Sequence, residues 1–267
     1  MEPGGTALVT GASRGIGRAV ALELATRGFS VVATMRDPTA GGALEAEAAG
    51  SLTIERLDVT DPDSIRIPGD LRVLVNNAGF QDAYFPIETL PLEQLRGLLE
   101  TNVVGQVAVL HRAIPVLRRR GEGVICTVTS SSVLLASPFY GAYRASKAAM
   151  SALCESLYVE LAPFGIRVVE IVPGPVDTRG LAHSSYLPAV EVAPYRQVAE
   201  RMMAGRERIR QVTVSPAQAA VRIVDTILDD SAPLKSACEP MGDALLEAWR
   251  HTSDQELLEQ ARDRYSG

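Results

Sequence analysis

Short apolar runs alternate along the chain with longer stretches whose apolar residues recur at helical spacing, the mark of βα units winding a parallel sheet. The first run predicts a strand over 7–10. Ile16, Ala19, Val20 and Leu24 then share one side of a helix over about 15–27, ended by Gly28. Further strands are predicted over 31–35, 52–58 and 73–76. Residues 92–120 read as one long helix or two abutting ones, with Gly97 and Gly105 as the places where an interruption would fall. A strand over 124–129 leads into a serine-rich loop, a helix over about 143–162 follows, and a strand over 168–172 completes six. Beyond Pro173 the alternation stops: residues 178–214 carry no strand pattern and a mixed helical signal through Ala199, Met202 and Met203. Ser215 and Pro216 supply an N-cap and a first-turn proline for a helix to about 228. Residues 234–238 suit a last edge strand, and 243–264 reads as a terminal helix. The expected class is α/β, a doubly wound parallel sheet of six to seven strands flanked by helices in a single domain. An insertion at about 179–214, just past a strand's carboxyl end, is placed to cover a site.

Composition narrows the partners. With 267 residues, 46% of them hydrophobic and 22% charged, the chain can build a sizeable core and is not disordered. A net charge of −6 argues against nucleic acid as a partner. The one basic run, Arg118 to Arg120 before Gly121, reads as the last turn of a helix, where cations complement the dipole. Cys126, Cys154 and Cys238 are widely spaced and odd in number, which suits a reducing compartment and neither a disulfide framework nor a zinc site. His111 and His251 have no ligands at metal spacing, so no metal is expected. Residues 1–5 lack a basic region leading into an apolar one, and no run approaches the ~18 residues of a membrane span, so the expectation is a cytoplasmic chain.

The chemistry begins at Thr10-Gly11-Ala12-Ser13-Arg14-Gly15-Ile16-Gly17, which follows a predicted strand and opens a predicted helix. Glycines there permit a tight turn and close approach of backbone to a pyrophosphate, and the free N–H groups of the helix start meet its charge. The spacing is G-x-x-x-G-x-G, and at this point the sequence resembles the short-chain dehydrogenase/reductase family, whose fingerprint is TGxxxGxG. The resemblance runs over about residues 6–180, through Asp58, Asn76-Asn77-Ala78-Gly79, Asn102, Ser130, Tyr143-Arg144-Ala145-Ser146-Lys147 and Pro173-Gly174-Pro175-Val176-Asp177-Thr178. It implies a Rossmann-type fold and a bound nicotinamide dinucleotide.

An NAD-specific pocket ends its second strand with an acid that binds the ribose 2′-hydroxyl. Met35 stands there, followed by Arg36, and Arg14 lies in the glycine loop; two guanidinium groups suit a 2′-phosphate, so the expected cofactor is NADP(H) rather than NAD(H). Asp37 next door is an alternative partner for Arg36. By resemblance, Gly11, Ser13, Arg14, Gly15, Ile16 and Gly17 form the phosphate loop, and Asp58 and Val59 contact the adenine. Asn76, Ala78 and Gly79 wall the adenosine ribose, and Pro173, Gly174, Val176 and Thr178 reach the nicotinamide end. Asp58 before Thr60 and Asp61 is also ordinary turn chemistry.

Tyr143 and Lys147 are four apart, a spacing that puts both on one face of a helix. A phenol titrates near ~10, and a neighbouring ammonium together with a positive nicotinamide ring would favour its ionised form. Lys147 thus tunes Tyr143 as general acid in reduction or base in oxidation and also binds the ribose. By resemblance, Ser130, thirteen residues before Tyr143, is the serine that holds the substrate oxygen; Ser131 and Ser132 are its immediate rivals. Asn102 matches the family's fourth catalytic position, where a distorted helix lets the side chain and a backbone carbonyl hold a water that links Lys147 to solvent.

Within the family the sequence is similar to the 17β-hydroxysteroid dehydrogenase type 1 and retinol dehydrogenase group through Ala33 to Asp37, Asn102 to Gly105, Pro138-Phe139 and Cys154 to Leu157. That implies a ketone reductase or secondary-alcohol dehydrogenase acting on a bulky apolar substrate such as a steroid, a retinoid or a polyketide-like ketone. Leu135, Phe139, Tyr140 and Tyr186 are the candidate substrate residues, with Phe80, Tyr84 and Pro138 beside them; all seven also suit plain loop packing. His183 lies in the same variable loop. Two other readings stand beside this one. An NADP(H)-binding redox-sensing regulator would keep the fold and lose the tyrosine or lysine, and both are present. A nucleotide-sugar epimerase needs more chain after Thr178. The resemblance implies a homodimer through the helices of Asn102 and Tyr143; a tetramer is weakened by helical character over 243–267.

Overall fold

The computed structural model describes residues 1–81, 84–178 and 187–266. Seven parallel strands form one sheet in the order β3-β2-β1-β4-β5-β6-β7. They are β1 (Thr6–Thr10), β2 (Ser30–Met35), β3 (Leu52–Arg56), β4 (Leu71–Asn76), β5 (Gly123–Val128), β6 (Ile166–Ile171) and the two-residue β7 (Lys235–Ser236). The helices are α1 (Gly15–Thr26), α2 (Leu44–Glu47), α3 (Leu92–Leu99), α4 (Gln106–Arg120) and α5 (Gly141–Leu161). After them come α6 (Arg196–Arg210), α7 (Pro216–Leu228), α8 (Pro240–His251) and α9 (Asp254–Ser266). This is the doubly wound arrangement expected.

The pleat explains why the strands are apolar without a break. Ala7 and Val9, Val73 and Val75, and Val124 and Cys126 pack on one face with Val20 and Leu24 of α1 and Ile223, Val224 and Ile227 of α7. Leu8, Leu74 and Ile125 turn to the other face, where Val109, Ala113 and Leu117 of α4 and Met150, Cys154 and Leu157 of α5 cover them. Both faces are core, so period-two polarity has no place. The strand order reverses between β1 and β4, and a crevice opens there at the carboxyl ends.

Four local differences from the expected elements have physical causes. The long central helix is interrupted by a π-helical turn over Glu100–Gly105, while Gly97 stays helical. Val59 presses into that turn: a Cβ on Gly105 would lie 2.7 Å from Val59 Cγ2. β3 ends at Arg56 rather than 58, because Asp58 Oδ1 accepts hydrogen bonds from Thr60 N (3.0 Å) and Thr60 Oγ1 (2.8 Å) and bends the chain. The terminal helix is two helices: Thr252 is extended (φ −122°), and Ser253 Oγ accepts from Glu256 N to begin α9. The covering stretch contains α6, with Ala199 and Met202 buried, and Val214 makes a parallel bridge to Val176 where no strand was expected.

All three cysteines are free and buried. Among the described residues no group of side chains could hold a metal, and no helix is long and apolar enough to cross a membrane.

Candidate active site

The glycine loop is shaped by contacts that admit no side chain. Gly11 has φ +68°, and a Cβ there would lie 2.9 Å from Ala78 Cα; a Cβ on Gly17 would lie 2.5 Å from Gly11 O and 2.4 Å from Asn77 Nδ2. Arg14 stands at the N-cap of α1 with extended backbone and no capping side chain, so no side chain shields the first N–H groups of the helix from the crevice. Ser13, Gly15 and Ile16 are half-buried beside it. Thr178 closes the other side, its methyl 3.3 Å from where a Cβ on Gly15 would sit.

Asn77, named above only as part of a motif, clamps this loop. Its backbone N donates to Thr10 Oγ1 (2.9 Å), and its Nδ2 donates to Thr10 O (2.9 Å) and Gly11 O (3.2 Å). Ala78 N also donates to Thr10 Oγ1 (2.9 Å). The available signal was a pair of asparagines directly after a buried strand. Asn76 is fully buried and turns inward, donating to Gln106 O (3.3 Å), while Gln106 Nε2 donates to Ala78 O (2.6 Å). Gly79 lies against Asn102 and Lys147: a Cβ there would be 2.9 Å from Asn102 Oδ1 and 3.5 Å from Lys147 Nζ.

Arg14 and Arg36 are exposed and make no ion pair among the described residues. Asp37 does not pair with Arg36; its Oδ1 accepts from Thr39 N (2.9 Å) and Thr39 Oγ1 (2.7 Å) and caps the next turn. Asp58 is in the turn described above. Burial opposes its charge, but the Thr60 hydrogen bonds and the nearby Arg36 and Arg56 outweigh that and hold its carboxyl below the ordinary value. Gly174 N donates to Glu239 Oε1 (3.1 Å), and a Cβ on Gly174 would meet that oxygen at 2.4 Å. Glu239 also accepts from Met241 N (2.7 Å), so a buried carboxylate joins the loop of Pro173, Gly174 and Val176 to the start of α8. Burial raises its carboxyl above the ordinary value.

Ser130 follows β5 with extended backbone; its Oγ accepts from Ser132 N (3.1 Å) and lies near enough to the Tyr143 phenol to oppose the rise in its pKa. Ser130 is therefore the member of the serine triplet that faces Tyr143. Ser131 N donates to Pro173 O (2.8 Å), and Arg144 Nε donates to Ser132 O (2.9 Å). Tyr143 lies in the first turn of α5, and Lys147 Nζ, one turn on, sits 5.9 Å from its ring centroid and donates to Val128 O (3.0 Å). Lys147 is only 5% exposed, and burial pulls its pKa down to about 8, so it remains charged at neutral pH. Burial pushes the Tyr143 phenol up to about 12, and the neighbouring Ser130 opposes that rise.

Asn102 sits in the π turn and is fully buried. Its Oδ1 accepts from Phe80 N (2.9 Å), and its Nδ2 donates to Phe80 O (2.9 Å) and Ser146 Oγ (3.0 Å), which in turn donates to Tyr143 O (2.7 Å). The helix distortion is as anticipated, but the side chain ties the β4 loop to α5 and is committed to protein partners.

An aromatic wall borders Tyr143. Tyr140 stands 6.3 Å from it, centroid to centroid, Tyr84 lies 4.5 Å from Tyr140, and Phe139, at φ +67°, packs edge-on to Tyr195 at 5.9 Å. Leu135 and Pro138 are half-buried in the same loop, Phe80 is 38% exposed, and Tyr84 is only 1% exposed. Tyr186 and His183 lie outside the described residues. Arg206 of α6, which no sequence signal marked, reaches over this wall.

The family profile "short chain dehydrogenase" matches residues 5–186. The chain is 40% identical over 186 residues to 17-beta-hydroxysteroid dehydrogenase type 1 of Homo sapiens and 38% identical over 185 residues to retinol dehydrogenase 8 of Homo sapiens. Those matches take in 64% and 65% of this chain but 56% and 59% of the relatives' own lengths. A short-chain dehydrogenase from Streptomyces avermitilis, 30% identical, superposes over 100% of both chains with a TM-score of 0.78. The chain belongs to the short-chain dehydrogenase family.

Proposed function

We propose that the protein is an NADP(H)-dependent carbonyl reductase and secondary-alcohol dehydrogenase with Ser130, Tyr143, Lys147 and Asn102 as its working groups. One observation carries this reading: Tyr143 and the buried Lys147 share one face of α5, with Lys147 Nζ 5.9 Å from the phenol ring and bonded to Val128 O at the end of β5, and Ser130 and the glycine loop lie alongside. The loop fits a dinucleotide, since Gly11 and Gly15, at φ +68° and +58°, turn its backbone tightly and the α1 N-terminus lacks a side-chain cap. Gly11 to Gly17 would hold the pyrophosphate, Arg14 and Arg36 the 2′-phosphate, Asp58 and Val59 the adenine side, and Thr178 the nicotinamide end. When bound, that cofactor supplies the hydride.

The chain's own groups handle the oxygen. Ser130 Oγ donates to the substrate carbonyl, and Tyr143 Oη gives it the proton as negative charge develops. Burial keeps the phenol protonated at neutral pH, so Tyr143 enters the reductive direction with a proton to give. Lys147 spends one N–H on Val128 O and retains two for ribose hydroxyls and proton resupply. Asn102 holds Phe80 and Ser146 in register behind it. Leu135, Phe139 and Tyr140, half-buried before α5, suit a bulky, mostly apolar ketone, and the steroid and retinol names of two relatives point the same way. Exposed Val104, Tyr158 and Val159, on the segments that the resemblance assigns to a homodimer, support that assembly.

The test is oxidation of NADPH and NADH by the purified protein against steroid ketones, retinal, β-ketoesters and small diketones, beside Tyr143→Phe. Turnover with NADPH that the substitution removes supports the reading. Tight NADPH binding with no reduction of any ketone rejects it.

A further inference from the structure

We propose that Arg206 is a substrate anchor, and that the protein selects carbonyl compounds bearing a carboxylate remote from the reacting carbon. The assignment rests on reading the crevice beside Tyr143 as a reductase's substrate site. Arg206 Cζ lies 4.3 Å from the Tyr84 ring centroid and 5.8 Å from that of Tyr140, and its Nη2 donates to Tyr84 Oη (2.8 Å). Tyr140 is in turn 6.3 Å from Tyr143. The charge therefore stands two rings from the proton donor along one wall, a separation suited to the two ends of a single small molecule.

Three further observations point to an anion. Arg206 makes no ion pair among the described residues, whereas Arg27, Arg167 and Arg222 hold Asp225, Asp230 and Asp243. A guanidinium has five donors, and one is spent on Tyr84. The guanidinium lies against the two tyrosine rings and its other donors have no acceptor among the described residues, which leaves it able to bind a carboxylate with two parallel hydrogen bonds. Second, α6 carries five arginines against two glutamates in a chain whose net charge is −6, so the helix presents a local positive field to an approaching ligand. Third, α6 lies beyond residues 5–186, the part matched by the family profile, so this end of the site is where the chain's own substrate preference would be written. Arg14 and Arg36, the candidates for the cofactor's 2′-phosphate, lie on the β1–β2 side and leave Arg206 without that duty.

The probes are benzoylpropionate, benzoylbutyrate and benzoylvalerate, each beside its methyl ester. Binding to the protein in excess NADP+ is read by calorimetry, and reduction is read separately by NADPH oxidation. For the chain length that spans the wall, the acid is expected to bind at least ~10-fold tighter than its ester, about 1.4 kcal/mol. Arg206→Gln should remove that difference while ester and NADP+ affinities stay unchanged, and Arg206→Lys should restore part of it. The proposal is overturned if no acid binds tighter than its ester, or if Arg206→Gln weakens acid and ester alike, the result of a packing role against Tyr84. Absence of NADPH oxidation with every ketone would instead sink the reductase reading, and the binding comparison would still decide the role of Arg206.

Discussion

Replacing Lys147 by Met separates what the lysine does for chemistry from what it does to stability. The ammonium is buried, and its pKa falls from 10.5 to about 8. At about 1.4 kcal/mol per unit, holding it charged in the fold costs about 3 kcal/mol. The sign follows from a folded value below the unfolded one. The cost is whole below about pH 8, shrinks as pH climbs toward 10.5, and is absent above that. Met removes this cost but leaves Val128 O without its 3.0 Å donor, a loss of about 1–2 kcal/mol. Lys147→Met should therefore be more stable than the parent by about 1–2 kcal/mol at neutral pH and less stable by a similar amount at strongly alkaline pH. Its turnover should fall by about 10²–10⁴. The assay is denaturant unfolding of both proteins, without nucleotide, at the two pH values. A difference in unfolding free energy that does not change with pH, or a variant less stable at neutral pH, would refute the reasoning.

Three other substitutions probe the rest of the site. Asn102→Ala deletes the bonds to Phe80 and Ser146 and should cost about 2–4 kcal/mol, lowering the thermal midpoint by roughly 5–12 °C; a loss of activity at an unchanged midpoint would contradict the tying role. Gly17→Ala puts a Cβ 2.5 Å from Gly11 O and should open the loop enough to weaken NADPH about tenfold or more in a fluorescence titration, with no change expected if the loop does not face the cofactor. Arg36→Asp should lower kcat/KM for NADPH by about 10²–10³ and spare NADH, and an equal fall with both cofactors would remove Arg36 from the 2′-phosphate site.

The parts of this molecule that were legible in its sequence are those with local causes. Ala7, Leu8 and Val9 announce a strand buried on both faces, Gly11 to Gly17 a turn that only small residues can make, and Tyr143 and Lys147 a shared helix face. What escaped depends on contacts between distant segments. The helix distortion at Asn102 was anticipated, but not its contact: Val59, 46 positions from Gly105, fills the space beside it. Asn77 became a clamp only when β1 and β4 paired and brought Thr10 to it. Glu239 reads as a surface charge before a helix, yet the fold buries it against Gly174. Arg206 is one of several arginines on a polar helix, and only the packing of α6 sets it over Tyr84 and Tyr140. Helical spacing likewise shows that the Lys147 charge is near Tyr143, but only the fold shows how much water the phenol has lost.

The central claim is that hydride arrives on the substrate carbon while Tyr143 supplies the proton. It is tested most directly by running the best ketone of the panel with NADPH deuterated at the transferring C4 position, with the parent protein and with Tyr143→Phe, and weighing the alcohol by mass spectrometry. The account predicts one deuterium on the carbinol carbon with the parent, and a rate lower by about 10²–10⁴ in Tyr143→Phe with NADPH affinity retained. NADPH consumed without deuterium in the product, or equal rates from the two proteins, would contradict it.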